Sequence, residues 1–339
     1  MKSDLVPTEV YDAYWRFAAE RQAVYCRRLV DPHGPWTQDP ILGSYRFTNA
    51  YRAADRVSQY LIREVQYRTD RSQAGNEVFF RTLLFKIFNR IDTWETLEDR
   101  LGSLSWQSAD FNKISSVLNE EMEAGRRIYS AAYIMPSPAL GHHRKHENHL
   151  ALIQMMMEDG MPSTVERSRS LQEVYDRILD YPSFGPFLAF QYAVDLNYSS
   201  MIDFDEGDHV VAGPGALDGI SKCFQHTGNL SPEDIIFEMV KRQDEEFARL
   251  GLDFPGLFGR RLQPIDCQNL FCEISKYARV SHPNVPGISG RTRIKQSYQS
   301  SGHYPQDPFF PPKWKLSPPA VRFDRLNAAK RHCAQLELF

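Results

Sequence analysis

Residues 209–224 read HVVAGPGALDGISKCF, and this stretch carries the strongest indication of the fold. Gly213, Gly215 and Gly219 surround Pro214, a residue that suits the first position of a helix. Glycine tolerates a left-handed backbone and also lets a second backbone approach closely. The spacing therefore predicts a tight turn that leads directly into a short helix.

A glycine-rich turn between two helices is typical of a helix-hairpin-helix. The turn and the first residues of the second helix point free N–H groups outward, and such groups bind an anion. A DNA phosphate is the usual anion, so the motif holds the DNA backbone without reading its sequence. We therefore expect Gly213, Gly215, Gly219 and Lys222 to bind DNA, whereas a plain loop before a helix is the alternative.

The composition excludes several classes of protein. The chain has 339 residues, of which 42% are hydrophobic, and this suits one large domain or two closely packed ones. The net charge of −3 excludes a strongly basic protein. We expect no membrane span and no signal peptide, because apolar runs of the required length are absent. Five scattered cysteines indicate reduced thiols in a cytoplasmic protein, and we predict no cofactor and no metal cluster.

Helical periodicity dominates the chain. Apolar side chains fall on one face of residues 11–29 and of residues 51–65, and residues 78–91 have the pattern of a buried helix. Ser231, followed by a proline and two acids, predicts a helix start, and that helix should end at Gly251. Alternating strand patterns are nearly absent, so we predict an all-α fold with long irregular connections.

The predicted domain organisation has two parts. We expect a helical domain over residues 1–280 and a Pro-rich, partly basic extension over residues 281–339 that ends in a helix. Residues 281–321 hold eight of the 21 prolines. A segment of this length exceeds an ordinary linker, so we expect it to lie across the surface of the domain.

One acidic residue follows the hairpin at the start of a further predicted helix. Ile265 places an apolar side chain directly before Asp266, which lies 46 residues after Ile220. Breaking the bond between a base and its sugar, or substituting at the exocyclic carbon of a base, builds positive charge on carbon, and an ionised carboxylate stabilises that charge. In helix-hairpin-helix DNA glycosylases a catalytic aspartate follows the hairpin at the start of a helix, and the resemblance of Ile265-Asp266 to that context implies that Asp266 is catalytic. The alternative is that it caps the helix.

A polar helix face continues from Asp266. At helical spacing, Asn269, Glu273, Lys276 and Tyr277 share its side of the helix. We expect Asn269, Glu273 and Lys276 to line a pocket, because a purely structural face is seldom this polar. A salt-bridged face in contact with solvent is the alternative.

Several histidines surround Arg144 and Lys145. His142, His146 and His149 have the helical spacing of metal ligands. The two cations among them would repel a metal ion, so we predict no metal site. We expect either a helix start at which Arg144 and Lys145 face a DNA phosphate, or a solvated turn without a role.

Long ordered motifs indicate a family. Residues 36–56 read WTQDPILGSYRFTNAYRAADR, and the blocks YWRF at 14–17, FKIFN at 85–89 and AAYI at 131–134 accompany them. Together with residues 187–195, the hairpin and the block that starts at Asp266, they resemble the signature of the DNA base hypermodification family. The resemblance covers roughly residues 10–280, and its motifs are long enough to be specific.

The resemblance carries expectations about fold and activity. The family includes the alpha-glutamyl/putrescinyl thymine pyrophosphorylases and the helical domain of 5-hydroxymethyluracil DNA kinases, and its fold resembles that of helix-hairpin-helix DNA glycosylases. Phage members replace pyrophosphate on hydroxymethyluracil in DNA with an amino acid or amine. Related bacterial members are implicated in phage defence as glycosylases of bulky bases. The chain has no Walker A motif, so a kinase activity is not implied.

The family motif also contains a predicted base pocket. An enzyme that works on a base of a duplex must flip that base out of the stack. Trp36, Tyr45 and Phe47 offer stacking faces, Asn49 offers a paired donor and acceptor, and Arg52 offers a fork for phosphate or sugar oxygens. For Phe47 the alternative is ordinary core.

The favoured function is a monofunctional DNA glycosylase that excises a bulky modified base, such as a glucosylated hydroxymethyl base, from phage DNA and leaves an abasic site. Gly219 stands near the position of the lysine nucleophile in bifunctional glycosylases, so no Schiff base is expected. On this view Asp266→Asn abolishes turnover while DNA binding persists.

A base-modifying transferase and a DNA-binding protein without activity are the alternatives. The transferase would replace pyrophosphate on hydroxymethyluracil, and it needs additional basic residues, for which Arg52, Lys276, Arg279, Arg291 and Arg293 are candidates. The expected partner is modified, phage-derived DNA, with no membrane and no obligate protein partner.

Overall fold

The computed structural model describes residues 5–31, 33–299 and 306–319. Within these ranges thirteen α-helices form most of the regular structure. They are α1 Glu9–Val30, α2 Pro40–Ser44, α3 Arg56–Tyr60, α4 Gly75–Phe88, α5 Ile91–Leu101, α6 Phe111–Glu123, α7 Lys145–Glu158, α8 Met161–Arg167, α9 Leu171–Leu179, α10 Pro186–Tyr198, α11 Pro214–Cys223, α12 Pro232–Arg249 and α13 Pro264–Ser281. None of them is long and apolar enough to cross a membrane.

Short helical turns and one small sheet complete the described structure. The turns are 3-10 helices at Arg52–Ala54, Trp106–Ser108, Glu206–Asp208 and Pro312–Trp314, and a π-helix at Leu61–Gln66. Strand β1 (Val6–Pro7) pairs antiparallel with β2 (Phe224–His226) and joins the segment before α1 to the end of α11. The predicted all-α class is confirmed, since this pair is the only sheet among the described residues.

The local signals of α12 act as the sequence predicts. The Ser231 hydroxyl accepts a hydrogen bond from the N–H of Asp234 at 3.1 Å, and the Asp234 carboxylate accepts one from the N–H of Ser231 at 2.9 Å. This reciprocal capping box satisfies two donors at the start of the helix. At the other end, Gly251 adopts a left-handed backbone with φ +64° and stops the helix.

The predicted helical stripe over residues 51–65 is broken into three pieces. A 3-10 helix, α3 and the π-helix follow one another, and Asp55 between the first two is extended, with ψ 145°. Asp55 stands at the N-cap of α3 but does not cap it. Its carboxylate instead accepts the N–H of Asn49 at 2.7 Å, which bends the chain back on itself.

Helix α13 lies at the centre of the domain and packs against α1, α11 and α12. Helices α4 and α10 form a second buried layer, in which almost every side chain of Val78–Phe88 is inaccessible to solvent. Helices α4 and α10 are buried on nearly all sides, which is why their sequences show only a weak amphipathic pattern.

Two described pieces of the extension lie against the domain. In the first, the N–H of Arg46 donates to the carbonyl of Gln296 at 3.0 Å, and the N–H of Tyr298 donates to that of Ser44 at 2.8 Å. In the second, Lys313 Nζ donates to the carbonyl of Asn197 at 2.6 Å, at the end of α10. The helix predicted at the end of the extension falls outside the described residues.

Candidate active site

The hairpin stretch forms α11, and its glycines serve close packing. A Cβ on Gly219 would lie 2.0 Å from the carbonyl oxygen of Phe271 on α13, and one on Gly215 would lie 2.9 Å from Cys272 Sγ. A Cβ on Gly213 would lie 2.5 Å from the ring of Phe187. The expectation of close approach is confirmed. The expectation of a left-handed backbone is wrong, because all three glycines have a negative φ or lie within the helix.

Lys222 is not available to DNA in this structure, in contrast to the prediction. Its residue is only 2% exposed, and its side chain packs on Gly287 of the extension beside Asp218. Burial lowers the pKa of Lys222, and the Asp218 carboxylate opposes this shift. The Asp218 carboxylate also accepts the N–H of Ser289 at 2.7 Å. The lysine therefore balances a carboxylate inside the contact between α11 and the extension.

Asp266 occupies the third position of α13 and is 4% exposed. Its Oδ2 accepts the N–H of Gln263 at 3.0 Å, and its Oδ1 accepts the N–H of Arg52 at 2.9 Å. Burial raises the pKa of Asp266 to about 7, and the nearby Glu206 adds to this shift. The carboxylate therefore belongs to a capping box whose N-cap is Gln263, and it ties the 3-10 helix Arg52–Ala54 to α13.

The remaining polar side chains of α13 hold the segment that precedes Arg52. Asn269 Nδ2 donates to the carbonyl of Asn49 at 3.0 Å, and Glu273 Oε2 accepts the N–H of Thr48 at 3.0 Å. Lys276 Nζ pairs with Glu273 at 2.8 Å. The structure thus brings the predicted pocket residues of α13 next to the segment that precedes Arg52. They bond to that segment and do not surround an open space. The α13 face is a buried contact, neither an open pocket nor a solvated face.

The three predicted stacking residues lie apart from Arg52. Phe47 is buried in the core, with its ring edge-on to Phe17 at 5.3 Å, which was the alternative reading for this residue. Trp36 lies beside the end of α1, where its ring faces the Arg28 guanidinium at 4.9 Å. Tyr45 forms a backbone bridge to the extension. Each of the three residues contacts a different part of the domain.

The basic and histidine-rich run at the start of α7 is also engaged within the domain. The Arg144 guanidinium pairs with Glu123 at 3.3 Å, and Lys145 lies 5.0 Å from the ring centre of Tyr129. His149 is fully buried between the Tyr129 hydroxyl at 2.8 Å and the Pro136 carbonyl at 3.0 Å. In the described part of the chain, no group of three or more His, Cys, Asp or Glu side chains is arranged to hold a metal.

The most unusual chemistry surrounds the Arg52 side chain, which is 2% exposed. Its Nη1 donates to Asp195 Oδ1 at 2.7 Å, and its Nε donates to Gln191 Oε1 at 2.9 Å. Lys86 Nζ lies 2.7 Å from the other oxygen of Asp195. Two buried cations therefore share one carboxylate. We call Arg52, Lys86, Asp195 and Gln191 the cationic centre.

The charges of the cationic centre shift one another. Burial lowers the pKa of Lys86 to about 8, although Asp195 acts in the opposite direction. Burial also raises the pKa of Asp195, but Arg52 and Lys86 outweigh burial and leave the carboxyl below its ordinary value. Asp195 is therefore ionised, and the centre retains an excess of positive charge when Lys86 is protonated.

Aromatic rings enclose the cationic centre. Lys86 Nζ lies 4.0 Å from the ring centre of Tyr133, and the Arg52 guanidinium lies 5.5 Å from that of Tyr198. Tyr133 has φ +55°, a backbone conformation that aromatic residues rarely adopt. Its ring is nearly parallel to that of the half-buried Phe187, with centroids 6.1 Å apart. Because Phe187 touches Gly213, this ring pair connects the cationic centre with the start of α11.

Comparison with known proteins identifies the family. Residues 8–287 match the family described as 5-hmdU DNA kinase, helical domain. The chain belongs to this family. A 5-hmdU DNA kinase of Bacillus phage SP10 is 27% identical to it over 289 residues, which make up 79% of this chain and 45% of that relative. The chain thus spans about half the length of this relative. Comparison with solved structures gave no match.

Of the cationic centre, the sequence predicts only Arg52 as a site residue. Lys86 and Asp195 lie inside the family motifs at residues 85–89 and 187–195. A signal was present, because Asp195 is the only charge of the apolar helix α10, and Lys86 stands between apolar residues near the end of α4. A charge in such a helix is buried, and a buried charge requires a partner. The two opposite charges could have been paired on that ground.

Proposed function

We propose that this chain modifies a hydroxymethyluracil-derived base in DNA by exchanging the group on its exocyclic methylene carbon, while the bond between base and sugar survives. The observation that carries this proposal is the cationic centre, in which Arg52 and Lys86 share the single carboxylate of Asp195. Family membership supports DNA hydroxymethyluracil as the substrate class. The activity named for the phage SP10 relative belongs to a protein about twice as long.

The charge excess of the cationic centre suits an anionic leaving group. A methylene–oxygen bond breaks, and the phosphate or pyrophosphate departs with the electron pair. An amine then forms the new carbon–nitrogen bond and releases one proton. Buried, preorganised cations stabilise the departing anion far more strongly than solvent-exposed ones would. Hydrolysis of the bond between base and sugar releases no phosphate or pyrophosphate.

A proton acceptor is available on the same side of the domain. Asp55 interacts electrostatically with Arg52 and Tyr133. Burial raises the pKa of Asp55 to about 7, although the N–H of Asn49 and the charge of Arg21 oppose this shift. A carboxylate with a pKa near neutrality can take up the proton that the amine releases.

We infer that the domain is related to the helix-hairpin-helix glycosylases and that DNA lies across the start of α11. The chain order supports this relation, since α11 with its glycines precedes α13 with Asp266 near its start. In this arrangement the flipped base enters beside Phe187 and Tyr133. Asp266 acts as a positioning residue, because it holds the backbone of Arg52.

Excision of the base remains a second candidate function. The observation in its favour is Asp266, a buried carboxyl near the start of α13 whose pKa burial raises to about 7. Both of its oxygens already accept backbone N–H groups, so a water molecule would have to compete with them. This makes excision the weaker of the two candidates.

The two functions give different products. The full-length protein would be incubated with DNA carrying hydroxymethyluracil, its phosphorylated or pyrophosphorylated form, or thymine, with and without amino acids and polyamines. Mass spectrometry of nucleosides and an aldehyde-reactive probe would follow the reaction. We expect a nucleoside of new mass that requires both the phosphorylated base and the amine. Free base with abasic sites would instead establish excision and overturn the transferase.

A matched pair of lysine variants tests whether the cationic centre takes part in the reaction. Lys86→Met removes one cation of the centre, and we expect turnover to fall by about 10²–10³-fold, the usual effect of losing one group that stabilises a transition-state anion. Lys241→Met removes a lysine that is 77% exposed on α12, and turnover should not change. Equal turnover in both variants would remove the cationic centre from the mechanism.

A further inference from the structure

The Gln191 side chain has a fixed orientation and one unused end. It lies on α10, is 1% exposed, and accepts the Arg52 Nε–H through Oε1. A guanidinium can only donate, so the carbonyl end must face Arg52. The amide end therefore points away from Arg52. Among the described residues Gln191 Nε2 has no hydrogen-bond acceptor.

Buried amide groups without a partner are uncommon, and each needs a physical reason. Burying the Gln191 NH₂ group without an acceptor costs free energy. A ligand that supplied an acceptor would recover this free energy. Phe187, Gln191 and Asp195 follow one another at spacings of four residues and share one face of α10. The Cα of Gln191 thus lies about one helical turn, roughly 6 Å, further along α10 than the Cα of Phe187.

We propose that Gln191 Nε2 donates a hydrogen bond to the O4 carbonyl of the flipped base and so selects uracil-type over cytosine-type bases. This inference rests on the proposed function. A uracil ring presents an acceptor at position 4, where a cytosine ring presents an amino donor. Because Arg52 holds the carbonyl end of Gln191, the amide cannot turn to offer an acceptor to cytosine. The amino group of cytosine, which is a donor, would therefore face the Gln191 NH₂ group, which is also a donor, and no hydrogen bond would form.

The position of the leaving group indicates O4 rather than O2. The exchanged group sits on the methylene carbon that is attached to ring carbon 5, and it must reach Arg52 and Lys86. Carbon 4 is its neighbour in the ring, and Gln191 is bonded directly to Arg52. Placing the substituent at the cationic centre thus brings O4 to the Gln191 amide, while O2 lies on the far side of the ring.

The test compares two amide-to-carboxylate variants on two DNAs. The DNAs differ in one base, hydroxymethyluracil or hydroxymethylcytosine, and affinities are measured with the full-length protein without an amine. Gln191→Glu keeps the oxygen that faces Arg52 and replaces the donor with an acceptor. We expect the preference for hydroxymethyluracil to fall by about tenfold or more, the effect of one hydrogen bond, or to reverse. Gln154→Glu, at an exposed site, should keep the wild-type preference.

The outcomes separate this inference from the proposed function. If the wild-type protein does not distinguish the two DNAs, the substrate class of the proposed function is wrong. If the wild type prefers hydroxymethyluracil and Gln191→Glu retains that preference, the role of Gln191 is overturned while the function stands. Should Gln191→Glu fail to fold, Gln191→Met takes its place. That variant has no donor, and it should bind both DNAs with similar affinity.

Discussion

Two polar clusters meet at Arg52, and they differ in how fully their hydrogen-bonding groups are used. On the α13 side, both oxygens of Asp266 and the side-chain amide of Asn269 have partners in the chain. On the α10 side, the Gln191 amide has none among the described residues, and two cations share one carboxylate. The backbone of Arg52 belongs to the first cluster and its guanidinium to the second.

The difference indicates which cluster holds the structure and which can contact a substrate. A fully bonded polar cluster rigidifies the segment that it holds and leaves no group for a ligand. An incomplete cluster carries charge and donors that a substrate can use. The α13 face, which the sequence marked as a pocket, thus positions Arg52, and the cationic centre is the better candidate for contact with the substrate.

The largest effect is expected from removing the shared carboxylate. Asp195→Asn leaves Arg52 and Lys86 buried without a counter-charge, and the free energy of unfolding should fall by about 3–5 kcal/mol. Glu120→Gln breaks the Arg100–Glu120 pair, whose side chains are 49% and 50% exposed, and should change it by less than about 1 kcal/mol. Urea unfolding measures both. A loss below 1 kcal/mol for Asp195→Asn would show that the centre is not desolvated.

A second pair of variants compares the two clusters directly. Asn269→Asp replaces an amide that donates to Asn49 and Thr48, so we expect a loss of about 1–3 kcal/mol in the free energy of unfolding. Gln191→Glu replaces an NH₂ group without an acceptor, keeps the oxygen that faces Arg52 and adds negative charge beside two cations. The stability of this variant should therefore be near that of the wild type. Similar losses in both variants, measured by urea unfolding, would contradict the distinction between the clusters.

The smallest effect concerns pH. Burial raises the pKa of Asp266 from its ordinary value of 3.8 to about 7, so the folded protein holds this proton more tightly than the unfolded chain. Stability is therefore greatest below about pH 4 for this group and falls as pH rises through 7. Between pH 6 and 7 the loss should be about 1 kcal/mol. Urea unfolding of Asp266→Asn across this range should show a shallower pH dependence; an unchanged slope would refute the shifted pKa.

Local signals explain why the helices were predictable. The capping box at Ser231 and the stop at Gly251 act within a few residues, so the bounds of α12 follow from the sequence. The position of α1 likewise follows from the periodicity of its apolar residues. The apolar stripe over residues 51–65 is largely buried, but the helix is interrupted at Asp55, whose carboxylate bonds back to Asn49 instead of capping α3. Periodicity cannot register such a side-chain contact.

The base pocket was not predictable for a different reason. An aromatic residue type does not distinguish a stacking platform from core, and the decision for Phe47 lies with α1 and α13. Lys222 is a similar case, since its burial depends on Gly287 of the extension. Both residues acquire their environment from segments that are distant in the chain.

The sequence by itself determined the helical class, the position of several helix ends and the family, because these depend on periodicity, caps and ordered motifs. Only the tertiary structure decided that Arg52 meets Asp195, 143 residues away, and that Lys86 shares the same carboxylate. Such a pairing depends on how α4 and α10 pack around the 3-10 helix at Arg52. Desolvation then strengthens the electrostatic interactions of these charged residues and shifts their pKa values.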